Sequence, residues 1–268
     1  MLSPDETARS LLAQLGHAGA RCVPARDGRE HHLYRVDLPV GERLLKFPRR
    51  DALADPYDPS RPAEERLAAE AQAITLATDV PVPPVHQLHY TRPVCVTMGM
   101  LPGTTAEIAY ERGQLDEDGL IGVCLAMGGA LGALHRRRRP PDGGGLPDLP
   151  GQDPSTARLL HLDYHLGNVL VRPQLGGTWV IAGVVDWTCA RWGPPEADFV
   201  EMQVSVFALN PRARDAFIAG YRRVSARAVD VREVERRAVA EVRRRIVTEP
   251  PTDPELLARW RDWADRHE

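Results

Sequence analysis

The chain has 268 residues, 43% hydrophobic and 26% charged, with a net charge of −3, which is the profile of a globular protein able to form one large domain or two smaller lobes. The small negative charge excludes a general attraction to nucleic acid or to an anionic membrane surface, and no apolar run approaches a membrane span in length. Four widely spaced cysteines, Cys22, Cys95, Cys124 and Cys189, include no CxxC pair, which argues against structural zinc or a disulfide framework and for a reducing, cytoplasmic setting.

The N-terminus, Met1-Leu2-Ser3-Pro4-Asp5-Glu6, is acidic and lacks the apolar core of a signal peptide. Residues 3–16 read as a helix: Ser3 can cap, Pro4 suits the first turn, and Leu11, Leu12 and Leu15 share a face. Short strands follow at 21–23, 33–38 and 43–47, the first two separated by a polar loop over 25–32 that holds Gly28 and the pair His31-His32. The Pro- and Asp-rich stretch 48–62 reads as mobile. A helix over 63–77 ends at Asp79-Val80-Pro81-Val82-Pro83-Pro84, and a strand over 94–98 is broken by Leu101-Pro102-Gly103. Beyond this point the pattern turns mostly helical. Residues 120–135 form a strongly apolar helix ending in Arg136-Arg137-Arg138-Arg139, where cations oppose the helix dipole. After a loop over 140–154, strands at 169–171 and 180–185 are joined by a turn at Gln174-Leu175-Gly176-Gly177, and the last third is helical and Arg-rich. There is no internal repeat.

Two features carry chemistry. The first is Lys46, the single lysine among 34 basic residues, placed on the strand Arg43-Leu44-Leu45-Lys46-Phe47. An ammonium is a compact point charge suited to phosphate oxygens, whereas a guanidinium is a wide planar fork. The second is His161-Leu162-Asp163-Tyr164-His165-Leu166-Gly167-Asn168, with the His-x-Asp-x4-Asn spacing of the kinase catalytic loop. One loop there serves two centres: an aspartate that accepts a hydroxyl proton and an asparagine whose carbonyl oxygen meets a phosphate-bound Mg²⁺. Val184-Val185-Asp186-Trp187 follows, and a hairpin of this length returns Asp186 beside Asn168, giving a hard-oxygen pair for Mg²⁺.

On these residues the chain resembles the aminoglycoside phosphotransferase and choline kinase-like family, the small-molecule kinases of the protein-kinase-like fold. Leu131-Gly132-Ala133-Leu134-His135, Thr97-Met98-Gly99-Met100-Leu101-Pro102-Gly103 and Gly193-Pro194-Pro195-Glu196-Ala197-Asp198 extend the likeness. The resemblance implies an α+β, bilobal protein-kinase-like fold, with a small β-rich N-lobe (1–98), a hinge (99–103) and a larger helical C-lobe (104–268). It implies a phosphotransferase moving the γ-phosphate of ATP or GTP, with Mg²⁺, to a hydroxyl of a small molecule. By family habit that acceptor is an antibiotic, inactivated by O-phosphorylation, with a metabolite as the alternative. Asp163 would be the catalytic base. Asn168 and Asp186 would hold the metal. Lys46 would contact the phosphates and pair with Glu70, Gly28 would serve the nucleotide loop, and Met98 and Met100 would offer backbone groups to adenine. Asp198 would brace the catalytic loop.

Some positions depart from the family pattern. Leu162 stands where Gly is common and Thr188 where an acid is common, and neither a GxGxxG nor a Walker motif occurs. Two readings of another class remain open. One is a metal-dependent hydrolase using His161, Asp163 and His165; the other is a nucleotide-binding protein without turnover. Trp187, His135, Trp260 and Trp263 read as packing residues. Between residues 212 and 245, eleven arginines face five acids. Lining an acceptor site, they would favour an anionic or neutral alcohol; facing solvent, they say nothing. Asp116, Glu117, Asp118, Glu196 and Glu201 are the acids available to greet a cation.

Overall fold

The structure, a computed structural model, describes residues 2–25, 30–52, 54–151, 153–207, 210–225, 227–248, 250–251 and 253–267. Helix α1 (Pro4–Gln14) opens with a capping box: the Ser3 hydroxyl accepts the Glu6 N–H and the Glu6 carboxylate accepts the Ser3 N–H. Its apolar face, Ala8, Leu11 and Leu12, packs on Tyr34, Val36, Leu45 and Phe47.

Those last residues belong to an antiparallel sheet. Its strands are β1 (Arg21–Pro24), β2 (His31–Leu38), β3 (Gly41–Pro48), β4 (Val85–His89) and β5 (Cys95–Gly99), in the order β1-β2-β3-β5-β4. Side chains alternate between the faces of a strand. In β3, Leu45 and Phe47 therefore face α1, while Leu44 joins the cluster of Leu67, Ala71, Val96 and Met98 against α2 (Ala63–Leu76). Lys46 shares the parity of Leu44, so its chain is sent toward α2.

The second lobe starts with β6 (Thr104–Thr105), α3 (Ala106–Glu111) and α4 (Glu117–Leu134). Between the lobes, Gly103 has φ 104°, and a Cβ there would lie 2.4 Å from the Val171 carbonyl oxygen, so only glycine fits. Then come β7 (Arg158–Leu160), β8 (Val169–Pro173), β9 (Trp179–Val184), β10 (Arg191–Gly193), α5 (Val200–Met202), α6 (Pro211–Ser225), α7 (Val231–Thr248) and α8 (Pro254–Arg266). The β8–β9 hairpin pairs Val169 with Val184, and β7 pairs with β10. The main core gathers residues of α4, α6, β8 and β9 with Trp187 and Trp192. Helices α4 and α6 approach to backbone contact: a Cβ on Gly128 would lie 1.9 Å from the Phe217 carbonyl oxygen.

Several expectations need correction. Helix α4, at 18 residues, is long and apolar enough to cross a membrane by length and composition, although the sequence read as holding no run of that kind. Its glycine face is covered by α6 and it fills the core, so apolarity here serves packing. His31 and His32 are the first residues of β2 rather than a loop pair, and His31 is buried. The stretch 48–62 is pinned rather than mobile: Asp55 is fully buried and ion-paired with Arg191 and Arg61. Strands β4, β7 and β10 had no strand signal because β4 is a half-exposed edge with two histidines and the others have three residues each.

Candidate active site

Lys46 is 4% exposed and lies between two acids. Its Nζ is 2.9 Å and 2.7 Å from the two Glu70 carboxylate oxygens and 2.9 Å from Asp186 Oδ1. Burial disfavours the ammonium, but Asp186 and Glu70 together outweigh it and its pKa is raised. Burial likewise raises the carboxyl of Glu70, against the pull of Lys46. Asp186 is half-exposed, and Lys46 overcomes burial to hold it well below the carboxylate range. Three chain segments meet here: β3 supplies the ammonium, α2 one carboxylate, and the end of the β8–β9 hairpin the other. Glu70 also accepts the Trp187 N–H at 3.2 Å, and the Thr188 hydroxyl donates to Asp186 Oδ1 at 3.1 Å. Position 188 thus supplies a donor to Asp186 where the family it resembles often carries an acid.

The loop after β7 places Asp163 and Asn168 together. The Asn168 amide nitrogen donates to the Asp163 backbone oxygen at 2.9 Å and to Asp163 Oδ2 at 2.7 Å, which leaves its carbonyl oxygen for another partner. The Val185 N–H donates to the Asn168 backbone oxygen at 2.9 Å, tying this loop to the segment that carries Asp186. Burial works against the Asp163 carboxylate, but the hydrogen bond and charge of His165, 3.5 Å from Oδ1, hold its pKa below the usual value. Burial equally opposes a charged His165, and Asp163 outweighs it, so the imidazole pKa is raised.

The loop path needs Leu162 in the left-handed region, at φ 64°. That conformation aims consecutive amides of His161 and Leu162 at one buried carboxylate, Asp198, at 2.9 Å and 2.5 Å. His135 Nε2 lies 2.9 Å from the same group, and its Nδ1 lies 2.9 Å from the Tyr221 hydroxyl. Asp198 therefore braces the loop as the resemblance implied, and His135 is a buried strut rather than a reacting group.

The hydrolase reading needs three convergent ligands. His161 is fully buried; its Nε2 lies 3.0 Å from the Val185 carbonyl oxygen and its Nδ1 accepts the Asp163 N–H at 3.3 Å. Both ring nitrogens are committed, and burial lowers its pKa so that it stays neutral. Among the described residues no group of three or more His, Cys, Asp or Glu is placed to hold a metal.

The sequence model of a family described as the phosphotransferase enzyme family matches residues 145–236, the stretch that holds Asp163, Asn168, Asp186 and Asp198. Among solved structures, a GDP complex of aminoglycoside 2'-phosphotransferase-IIIa is 15% identical with a TM-score of 0.65, covering 97% of this chain and 96% of that one. A spectinomycin phosphotransferase in complex with ADP and spectinomycin is 12% identical with a TM-score of 0.54, covering 92% of each chain. A putative fructosamine-3-kinase from Thermobifida fusca is 17% identical with a TM-score of 0.51, covering 97% of this chain and 99% of that one. A comparison with curated proteins finds no match. The chain has the protein-kinase-like fold of the small-molecule phosphotransferases.

The remaining residues that the resemblance implies are placed as follows. Met98 lies inside the sheet, paired with Leu44 on one side and Val85 on the other, with its side chain buried against α2. Met100 follows the strand and is 44% exposed. Of the two, Met100 has backbone outside the ladder. Gly28 lies outside the described residues. The Arg-rich stretch does not form one basic wall. Arg212 is exposed and pairs with Glu117 and Asp118, Arg236 and Arg237 pair with Glu233, and Arg244 pairs with Glu241. Arg245 reaches inward, to Glu201 and Glu241. Burial raises the Glu201 carboxyl, Arg245 opposes it, and the Asp163 charge adds to the rise, so Glu201 is the acid of the greeting set that senses the catalytic loop. Trp260 and Trp263 pack in the cluster between α7 and α8.

Sequence reasoning missed His165 as the partner of Asp163 and Thr188 as a donor to Asp186. The first signal was readable: a histidine two residues beyond the aspartate. The second was not, because the Thr188 contact depends on Asp186 taking φ 63°.

Proposed function

We propose that the chain transfers the γ-phosphoryl group of ATP or GTP to a hydroxyl of a small molecule. The observation that carries this is the meeting of Lys46 with Glu70 and Asp186, next to an Asp163–Asn168 loop that the Val185 N–H ties to the segment of Asp186. Phosphoryl transfer needs positioning and charge stabilisation more than covalent chemistry, and these groups supply both. Lys46, held in place by Glu70, is the cation for the nucleotide phosphates. Asp163, kept ionised by His165, accepts the hydroxyl proton or orients that hydroxyl for in-line attack. Met98, Met100 and Gly28 are assigned to nucleotide contacts, and Met100 has its backbone beyond the β5 ladder.

The residues present fit a magnesium ion. Asn168 has its amide nitrogen committed and a carbonyl oxygen to offer, and Asp186 has one oxygen engaged by Lys46 and Thr188 and one to offer. Two hard oxygens suit Mg²⁺, which keeps several waters and takes the rest of its shell from phosphates. When bound, the ion would neutralise charge developing across the phosphates.

The acceptor in this reading is a hydroxylated antibiotic, as in the neighbouring phosphotransferase complexed with spectinomycin. The fructosamine-kinase-like neighbour supports a metabolite as the second reading. The four cysteines are unpaired, which suits the proposed cytoplasmic setting.

The test is nucleotide-dependent thermal stabilisation followed by turnover. Mg²⁺ with ATP or GTP should raise the melting temperature of the wild type, and a panel of hydroxylated antibiotics and metabolites should reveal ATP consumption. Asp163→Ala should bind Mg·ATP and lose turnover, while Asp186→Ala should lose the magnesium-dependent part of the stabilisation as well. Full activity of Asp163→Ala on a confirmed acceptor would refute the assignment.

A further inference from the structure

We propose that Asp55, together with Arg191, is a positioning pair that locks the linker between β3 and α2 onto the catalytic segments of the other lobe. The proposal rests on the kinase reading above for its catalytic consequence, but its structural content stands alone. Asp55 has no solvent exposure and Arg191 is 2% exposed. Asp55 Oδ2 accepts Arg191 Nη2 at 2.5 Å and lies 3.6 Å from Arg61 Nη1, while Oδ1 accepts the Tyr57 and Asp58 N–H groups at 2.9 Å and 3.2 Å. Tyr57 adds a second layer: the Arg191 guanidinium sits 5.5 Å from its ring centroid, and Tyr57 packs against Leu149, Leu160, Leu162, Cys189 and Ala197.

The topology gives this contact its meaning. On one side, the linker joins the strand that carries Lys46 to the helix that carries Glu70. On the other, Arg191 begins β10, five residues after Asp186. It pairs in register with Leu160 of β7, whose next residues are His161, Leu162 and Asp163. A pin at Arg191 therefore sets two loops at once, those of Asp163 and Asp186. A fully buried ion pair is weak evidence for net stability, because desolvation offsets attraction. It does fix geometry, since few other arrangements satisfy both charges. The linker contributes no reacting group, so what it supplies to the cleft is register between the lobes.

Hydrogen–deuterium exchange on the nucleotide-free protein tests the geometry directly. In Asp55→Asn, amides of residues 158–168 and 186–193 should exchange about tenfold faster or more. Val123→Ala, a core change in α4 of comparable destabilising kind, should leave those segments at the wild-type rate relative to the rest. Acceleration confined to residues 50–62 would overturn the proposal. The catalytic consequence is read with Mg·ATP alone, as slow hydrolysis to water. Asp55→Asn should lose roughly tenfold to a hundredfold in kcat with KM for ATP nearly unchanged, the effect of misplaced rather than missing groups. Equal kcat in Asp55→Asn and wild type would also overturn it. Wild-type protein that neither binds nor hydrolyses Mg·ATP would remove the kinase reading and leave the exchange result to decide the lock.

Discussion

Removing the Lys46 ammonium should destabilise the protein chiefly by stranding a buried acid. Glu70 is 2% exposed, and both of its oxygens face Nζ within 2.9 Å. In Lys46→Met, Glu70 must either stay charged in an apolar setting or take up a proton. Breaking a buried pair by deleting one partner costs about 3–5 kcal/mol, equivalent to roughly 6–20 °C in melting temperature at about 2–4 °C per kcal/mol. Asp186 adds less, because its carboxylate is half-exposed and can be hydrated. The second substitution follows from the same geometry. Lys46→Met combined with Glu70→Gln removes the stranded charge and keeps an acceptor for the Trp187 N–H. The double variant should therefore recover about 2–3 kcal/mol relative to the single, a positive coupling between neighbours. Urea unfolding at neutral pH, with midpoints compared at constant m, reads both values. The sign of the pH dependence is fixed as well. With Lys46 gone, burial and the Asp186 charge raise the Glu70 carboxyl and only the Trp187 N–H opposes them, so its folded pKa stands above its unfolded value near 4.3. The single variant should therefore gain stability relative to the double as pH falls through that folded pKa. A double variant no more stable than Lys46→Met would refute the argument, and so would a gap that widens as pH falls.

Lys46→Arg keeps the charge but brings a wide fork into a space lined by Glu70 and Asp186, and turnover should fall on the order of a hundredfold through misplaced phosphates; wild-type kcat in this variant would dismiss the point-charge argument. His165→Asn leaves burial to act on Asp163, so the acid limb of kcat/KM should move to higher pH, and a limb that stays or moves down would sink the pairing. His165 has a raised folded pKa, so its contribution to stability is complete below its unfolded value near 6.5 and is lost as pH rises through the folded one. His165→Asn should accordingly cost more stability at about pH 5.5 than at about pH 9, which thermal melts at the two pH values would check. At an ordinary site Leu→Gly is worse than Leu→Ala by about 0.5–1 kcal/mol, but Leu162 sits at φ 64°, where a side chain costs about 1–2 kcal/mol. Leu162→Gly should thus melt at or above Leu162→Ala, although both lose the burial of Leu162, and the opposite order would remove the strain argument.

What the sequence disclosed divides by range. Helices α1, α2 and α4 and the β8–β9 hairpin were readable because caps, apolar spacing and turn residues act within a few positions of one another. The motif His161 to Asn168 was readable because a single loop must hold both groups at fixed spacing. Lys46 and Glu70 were placed by resemblance, and the parity of β3 supplies the physical reason they meet. The linker over 48–62 read as mobile because its prolines and aspartates resemble a solvated segment. Asp55 is buried with its charge met by the nearby Arg61 and by Arg191, 136 positions away. No local pattern encodes that pairing. The Arg-rich segment stayed open in the sequence for a related cause. Composition counts six surplus charges between 212 and 245 but not their direction, and the helices turn Arg212, Arg214, Arg236, Arg237 and Arg244 onto acids of their own turns or of α4.

Three buried carboxylates frame the segments that carry Lys46, Asp163 and Asp186. Glu70 holds Lys46 and the Trp187 amide. Asp198 holds the His161 and Leu162 amides and His135. Asp55 holds Arg191 and the amides of Tyr57 and Asp58. Each accepts backbone N–H groups as well as a side chain, so each fixes a chain path rather than only a partner. A hydrogen bond to a buried carboxylate is directional and costly to leave unmade, whereas apolar packing tolerates sliding. That difference separates two kinds of contact in this fold: carboxylates fix the loops around Lys46, Asp163 and Asp186, while leucine, valine and aromatic residues hold the clusters behind them. It also separates the residues by how they could be read: Asp163 and Asn168 share one loop and showed in its spacing, Glu70 and Asp198 were implied by the resemblance alone, and Asp55 by neither, because each framing acid acts on residues brought to it by the fold.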